Sequence, residues 1–268
     1  MKKIFFLTIL CFFCTLFSDA QKFQATTGTA DANEKWATVE DVAAGGYVTI
    51  GNSTTGAVGV APIQQVWISS YNTFGVVLTS ALASNGRQMI ARDISLAPTD
   101  PNTGNRTYYV TGYTKAVNGT HQMFVGRINL AGTFLWYQEN PIGGNGNAKE
   151  GVAVTTAPNG DAVAVGHVLW PNAPVTPQIM LTRFAPAGAI VWSNVYNQPG
   201  NWMVREIANG TPIPGFPTPA AMPGEFVITG EVRALNAGAV ATTFAAAYNG
   251  GGIEGWRNLY PAVVGGFR

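Results

Sequence analysis

Two ten-residue stretches, Arg127-Ile128-Asn129-Leu130-Ala131-Gly132-Thr133-Phe134-Leu135-Trp136 and Arg183-Phe184-Ala185-Pro186-Ala187-Gly188-Ala189-Ile190-Val191-Trp192, share one pattern: a basic residue, a glycine five positions on and a tryptophan four beyond that. β-Formers flank each glycine, so it reads as the turn between two strands, where a residue free to take positive φ is needed. The same glycine recurs as Gly75 and Gly252, with Thr79 and Trp256 in the tryptophan place. Successive turn glycines are 57, 56 and 64 residues apart. A period of that size marks stacked structural units.

Upstream of this hairpin each unit carries two more β-rich runs. The first opens with an acid beside a β-branched residue: Glu40-Asp41-Val42, Arg92-Asp93-Ile94, Lys149-Glu150-Gly151-Val152 and Arg205-Glu206-Ile207. The second ends on glycine: Tyr47 to Gly51, Tyr109 to Gly112, Val163 to Gly166 and Phe226 to Gly230. The third precedes the turn glycine: Val66 to Tyr71, Met123 to Ile128, Ile179 to Phe184 and, less regularly, Val240 to Tyr248. With Gly, Asn and Pro between the runs and no helical period, the chain predicts an all-β, β-propeller-like array of about four four-stranded blades in a small or incomplete ring. The units fall at about 34–84, 85–140, 141–196 and 197–262, after a lead-in at 21–33. One such sheet cannot bury both faces alone, so neighbours must stack on it. Trp136, Trp192 and Trp256 are expected to pack between blades.

The Arg-to-Trp stretches, each preceded by a Gly-terminated strand and an acidic start, resemble the repeats of secreted bacterial β-propellers related to the quinoprotein (Trp-docking) and Kelch-like families, over residues 34 to 261. In surface proteins of the type IX secretion route such repeats often precede a C-terminal sorting domain. The resemblance implies a scaffold without the cofactor. Quinone-binding members resemble one another in an acidic calcium site and often a vicinal disulfide, whereas residues 21–268 contain no cysteine.

Residues 1–20 have the build of a secretory signal: Lys2 and Lys3, an apolar run from Ile4 to Phe17, then Ser18-Asp19-Ala20 with small residues at both recognition positions. The run is shorter than the roughly 20 residues a spanning helix needs, so a secreted, extracellular or cell-surface protein is expected, with no membrane span after cleavage. Without Lys2, Lys3 and Asp19, 13 Lys and Arg stand against 13 Asp and Glu. That balance gives no steering toward nucleic acid. Charged residues make up only 11% of the chain and there are 32 glycines, as in a turn-rich extracellular β protein.

Val263-Val264-Gly265-Gly266-Phe267 resembles Val42 to Tyr47 and looks like the start of a fifth unit. Three arrangements fit: a four-bladed ring closed by this tail, a fragment of a larger propeller, and an open arc completed by another chain. The first two are the expected ones.

Chemistry is sparse. His121 and His167 lack ligand-spaced partners, so no metal and no cofactor is expected, and His167 reads as a loop residue. No nucleophile elbow or phosphate loop is present, and no catalytic residue is assigned. The repeated acids Asp41, Asp93, Glu150 and Glu206, taken as equivalent, would line a central channel; the plainer reading pairs each with a nearby Arg or Lys. Asn52, Asn105, Asn118 and Asn209 begin sequons that turn formation explains, and Trp170, Trp202 and Tyr113 lie near loops, where they could stack on sugars. The expected function is a non-enzymatic module binding a protein or glycan at the cell surface through blade loops. A carbohydrate-active hydrolase or lyase using channel carboxylates, and a structural spacer, are the alternatives.

Overall fold

The computed structural model describes residues 37–41, 46–55, 63–84, 87–115, 120–139, 148–169, 177–196, 200–209, 226–233 and 241–260. The signal at 1–20, the lead-in at 21–33, Trp170, Asn118 and the Val263 to Phe267 stretch lie outside these residues. The described residues form four antiparallel sheets, each a meander of four consecutive strands. The first holds β1 (Ala37–Asp41), β2 (Gly46–Thr55), β3 (Ile63–Asn72) and β4 (Val77–Ala83). The second holds β5 (Gln88–Ala97), β6 (Thr107–Lys115), β7 (His121–Asn129) and β8 (Phe134–Glu139). The third holds β9 (Ala148–Thr156), β10 (Ala162–Leu169), β11 (Gln178–Phe184) and β12 (Ile190–Tyr196). The fourth holds β13 (Asn201–Asn209), β14 (Phe226–Arg233), β15 (Thr242–Tyr248) and β16 (Glu254–Tyr260). This is the expected propeller-like array of four four-stranded blades.

The four turn glycines do what the period implies. Gly75, Gly132, Gly188 and Gly252 have φ of 81°, 78°, 92° and 75° in the hairpins between third and fourth strands. In each, the glycine N–H donates to the carbonyl three residues back, and that residue's N–H donates to the carbonyl just after the glycine. Asn72, Asn129 and Asn249 reinforce the turn, each Oδ1 accepting two backbone N–H groups of its own loop. A bulge follows in every fourth strand, so the registers Arg127↔Trp136 and Arg183↔Trp192 recur as Ser70↔Thr79 and Ala247↔Trp256.

The glycines expected to end the second strands lie inside them. Gly112, Gly166 and Gly230 sit opposite a bulge in the first strand, where Ala91, Gly151 and Val204 are their partners. A Cβ there would strike the carbonyl oxygen of Ile90, Glu150 or Met203. Glycine marks this close approach, with the strand continuing beyond it.

Stacking of the sheets makes three cores. Val48, Ile50, Ile68, Tyr108 and Phe124 lie between the first and second sheets. Tyr109, Val125, Val154 and Phe184 lie between the second and third. Val163, Leu181, Phe226, Phe244 and Tyr248 lie between the third and fourth. Full burial of each such aromatic or branched side chain contributes about 1.5 to 3 kcal/mol. Strands β6 and β10, in the inner two sheets, are buried on both faces for most of their length. β14, in the fourth sheet, alternates buried with half-exposed, and so does β2 over Gly46–Ile50. Among the described residues no core joins the fourth sheet to the first, so the array is an open arc. Four sheets closing on themselves, one of the two expected arrangements, is not what these residues form.

Candidate functional site

The arc has two rims of different character. At one, the hairpin turns of the second, third and fourth blades are engaged by the preceding blade. Trp136 Nε1 donates to the Pro186 carbonyl at 2.8 Å, and Arg127 Nη1 reaches the same oxygen at 3.1 Å. One seam on, Trp192 Nε1 and Arg183 Nη1 donate to the Gly250 carbonyl at 2.9 and 2.7 Å. Each indole lies against the next blade's positive-φ glycine: a Cβ on Gly188 would sit 2.8 Å from the Trp136 ring, and one on Gly252 2.8 Å from Trp192. Arg183 is further held by Asp161 at 2.6 Å, and Arg127 by the Pro98 carbonyl and Thr107. Trp136 and Trp192 thus pack between blades as expected. Trp256 does not; it is 39% exposed.

At the opposite rim the first strands begin and the second strands end, and the connections 56–62, 116–119, 140–147, 170–176 and 234–240 leave from it. Here the second and third sheets bring together a half-exposed polar cluster. His121 Nδ1 lies 2.6 Å from Glu150 Oε1, and Arg92 Nη2 lies 4.0 Å from Glu150 Oε2. The His121 ring stacks on Tyr113 with centroids 4.3 Å apart, and the Arg92 guanidinium stands 5.4 Å from that phenol ring. Beside this, burial opposes ionisation of Glu139, but hydrogen bonds from Tyr137, Thr114 and Arg87 hold its carboxyl below the usual range. Lys149 lies buried next to it, its ammonium pushed down by desolvation and partly restored by the Glu139 charge.

The register divides the four repeated acids. Asp93 and Glu206 occupy one equivalent position, pairing with Thr111 and Thr229 just past the bulge. The third sheet has Ala153 there, and the first has Ala37. Glu150 pairs with His167 on the other side of the bulge glycine, and Asp41 pairs with Gly46 at the far end of β1. The expectation of one acid per blade at a common radius is therefore corrected to a pair, Asp93 and Glu206, with Glu150 in the rim cluster. The side chain of Asp41 lies outside the described residues. Asp93 Oδ2 accepts the Val154 N–H at 2.8 Å, across the seam to the next blade. Burial pushes its carboxyl up to about 6 against the Val154 and Ile94 hydrogen bonds, and the Glu206 charge adds to the rise.

His167 is in β10, not in a loop. Its Nε2 accepts the Val204 N–H at 2.8 Å, bridging the third and fourth sheets. Desolvation lowers the imidazole to about 4, with Glu150 opposing and Arg205 assisting. Asn52 occupies the equivalent place and bridges the first and second sheets, accepting from Ala91 N–H at 2.8 Å and donating to its carbonyl at 3.2 Å. Buried in that bond, Asn52 cannot serve as a glycosylation acceptor. Trp202 is also a strand residue, 4% exposed, edge-on to Phe244 and covered by Arg257. Tyr113 is buried in β6 under His121. Both stand near a strand end beside a loop, as expected, but neither is exposed enough to stack on a sugar.

The His121–Glu150 pair was not legible, because 28 intervening residues separate the two in sequence; the one available signal was a histidine and an acid at matching strand starts. Among the described residues no three His, Asp or Glu side chains converge as a metal site. No family model matches the chain, and no curated protein matches it.

Proposed function

We propose that this chain is a secreted, non-catalytic interaction module of the quinoprotein-like and Kelch-like scaffold type, which binds a protein or glycan through its loop rim. The observation that carries the reading is the contrast between the rims. At the turn rim the Trp and Arg side chains are bonded to backbone carbonyls of the next blade, whereas at the loop rim His121, Glu150 and Arg92 stay half-exposed around a fixed aromatic, Tyr113. Carboxylate, imidazole and guanidinium on rigid strands can donate to and accept from hydroxyl or amide groups with little ordering cost. The test is binding of the labelled chain to a glycan array and to intact cells of its own species. A His121→Ala, Glu150→Gln double variant that melts like the parent is expected to bind at least about tenfold more weakly, the scale of a lost charge-assisted hydrogen bond. Undiminished binding by that variant refutes the assignment.

A second reading, hydrolase or lyase chemistry on a polysaccharide, is favoured by one observation: the Asp93 carboxyl, up to about 6, is influenced by the Glu206 charge from the equivalent position two blades away. A raised and an ordinary carboxyl can divide acid and base roles. This reading requires turnover that Glu206→Gln abolishes, and a parent chain inert on polysaccharides removes it.

A further inference from the structure

Three of the four hairpin turns are engaged by the blade before them. The Gly132 turn meets Ala81 and Leu82 of β4, Gly188 lies under Trp136, and Gly252 under Trp192. The Asn72 to Val76 turn is the fourth, with the same hydrogen bonds and Gly75 at φ 81°, yet Phe74 is 87% and Val76 57% exposed. Conversely, β4, β8 and β12 each cover a following turn, and β16 covers none among the described residues.

The sequence of β16 makes this more than a bare face. In β12 the donors to the next turn are spaced Trp192-x-Asn194-x-Tyr196: Trp192 Nε1 bonds the Gly250 carbonyl, while Asn194 Nδ2 (3.5 Å) and the Tyr196 hydroxyl bond the Gly252 carbonyl. β16 repeats the set as Trp256-x-Asn258-x-Tyr260. The register gives all three the face that in β12 meets the next blade, since Trp256, Asn258 and Tyr260 pair with Ala247, Ala245 and Thr243 as Trp192, Asn194 and Tyr196 pair with Arg183, Leu181 and Ile179. Trp256 and Tyr260 are 39% and 50% exposed, and none of the three has a side-chain acceptor among the described residues.

We infer that β16 of one chain grips the Asn72 to Val76 turn of a second copy, with Trp256 and Tyr260 donating to the carbonyls of Thr73 and Gly75. The occupant is a copy of this chain because, among the described residues, its own first turn is the one remaining acceptor of matching geometry, and the described residues of the first and fourth sheets share no core. Two copies related by a two-fold axis would make this seam twice and close a ring of eight sheets, the upper end of the usual propeller range. The inference is independent of what the loop rim binds.

Sedimentation velocity on the purified chain tests it. At about 100 μM, above the dissociation constant of an ordinary specific interface, the parent is expected to run at twice the chain mass. Trp256→Ala, at an exposed site, should keep the parent's circular dichroism and weaken association at least about tenfold, as loss of an anchoring tryptophan does. Tyr260→Phe, which removes only a hydroxyl, provides a second variant with a smaller shift in the same direction. A monomeric parent, or a dimer unaffected by both substitutions, overturns the inference.

Discussion

Asp93 and His167 hold neighbouring seams together through the same kind of bond, a side-chain acceptor on a backbone N–H of the next blade, but burial moves them in opposite directions. The His167 imidazole is lowered from 6.5 to about 4, so the native state favours it neutral. Its contribution is fully present above pH 6.5 and is lost as pH falls toward 4, amounting to about 3 kcal/mol at 1.36 kcal/mol per pH unit. The Asp93 carboxyl is raised from 3.8 to about 6, so the native state favours it protonated. Its contribution is present below pH 3.8 and is lost as pH rises through 6, again about 3 kcal/mol. Between pH 4 and 6 the two slopes nearly cancel. His167→Asn places at the third seam the amide that Asn52 already uses at the first, keeping an acceptor for Val204 N–H without the titration. Urea unfolding at constant ionic strength should then show the variant losing about 3 kcal/mol from pH 4 to 6 relative to the parent's profile. Asp93→Asn should do the reverse and gain stability over the same interval. Parallel profiles for parent and both variants would refute the account of these two seams.

Two further substitutions probe the seams separately. Trp192→Phe keeps a ring over Gly252 and leaves Arg183 on the Gly250 carbonyl, so it should cost about 1 kcal/mol in thermal unfolding; no loss at all would show that the indole bond contributes nothing. Gly151→Ala drives a Cβ into Thr111 Oγ1 and to 2.8 Å from the Gly112 carbonyl oxygen, and should cost about 1 to 3 kcal/mol, with faster hydrogen exchange in β6 and β9. Unchanged exchange there would mean that the second and third sheets are less closely apposed than described.

The hairpin glycines were legible because positive φ restricts the residue type, and the period between them counts blades directly. Trp136 and Trp192 were legible because a large ring four residues past a turn has few places to go but the seam. The acids were misaligned for a specific reason. A bulge adds one residue to β5, β9 and β13, and aligning the acids of Arg92-Asp93 and Lys149-Glu150 by appearance puts Glu150 on the wrong side of it. The strand-internal glycines carried the correct register, since Gly112, Gly166 and Gly230 each face that bulge. Asn52 and His167 stand next in sequence to such glycines, yet their partners Ala91 and Val204 belong to another blade, a relation that no local pattern displays. The rim cluster was hidden in the same way, because it is assembled by stacking.

The shared carbonyl at the turns of the third and fourth sheets has a mechanical consequence. Arg127 with Trp136, and Arg183 with Trp192, fasten two points of one sheet to a single atom of the next, which sets the dihedral angle between neighbouring sheets like a pinned hinge. That pin lies at the rim opposite the connections 56–62, 116–119, 170–176 and 234–240, so those connections can change composition without altering the angle. In the single chain the array then behaves as a row of nearest-neighbour couplings, in which the cost of losing one pin stays local and opening begins at the two end sheets, each with one neighbour among the described residues.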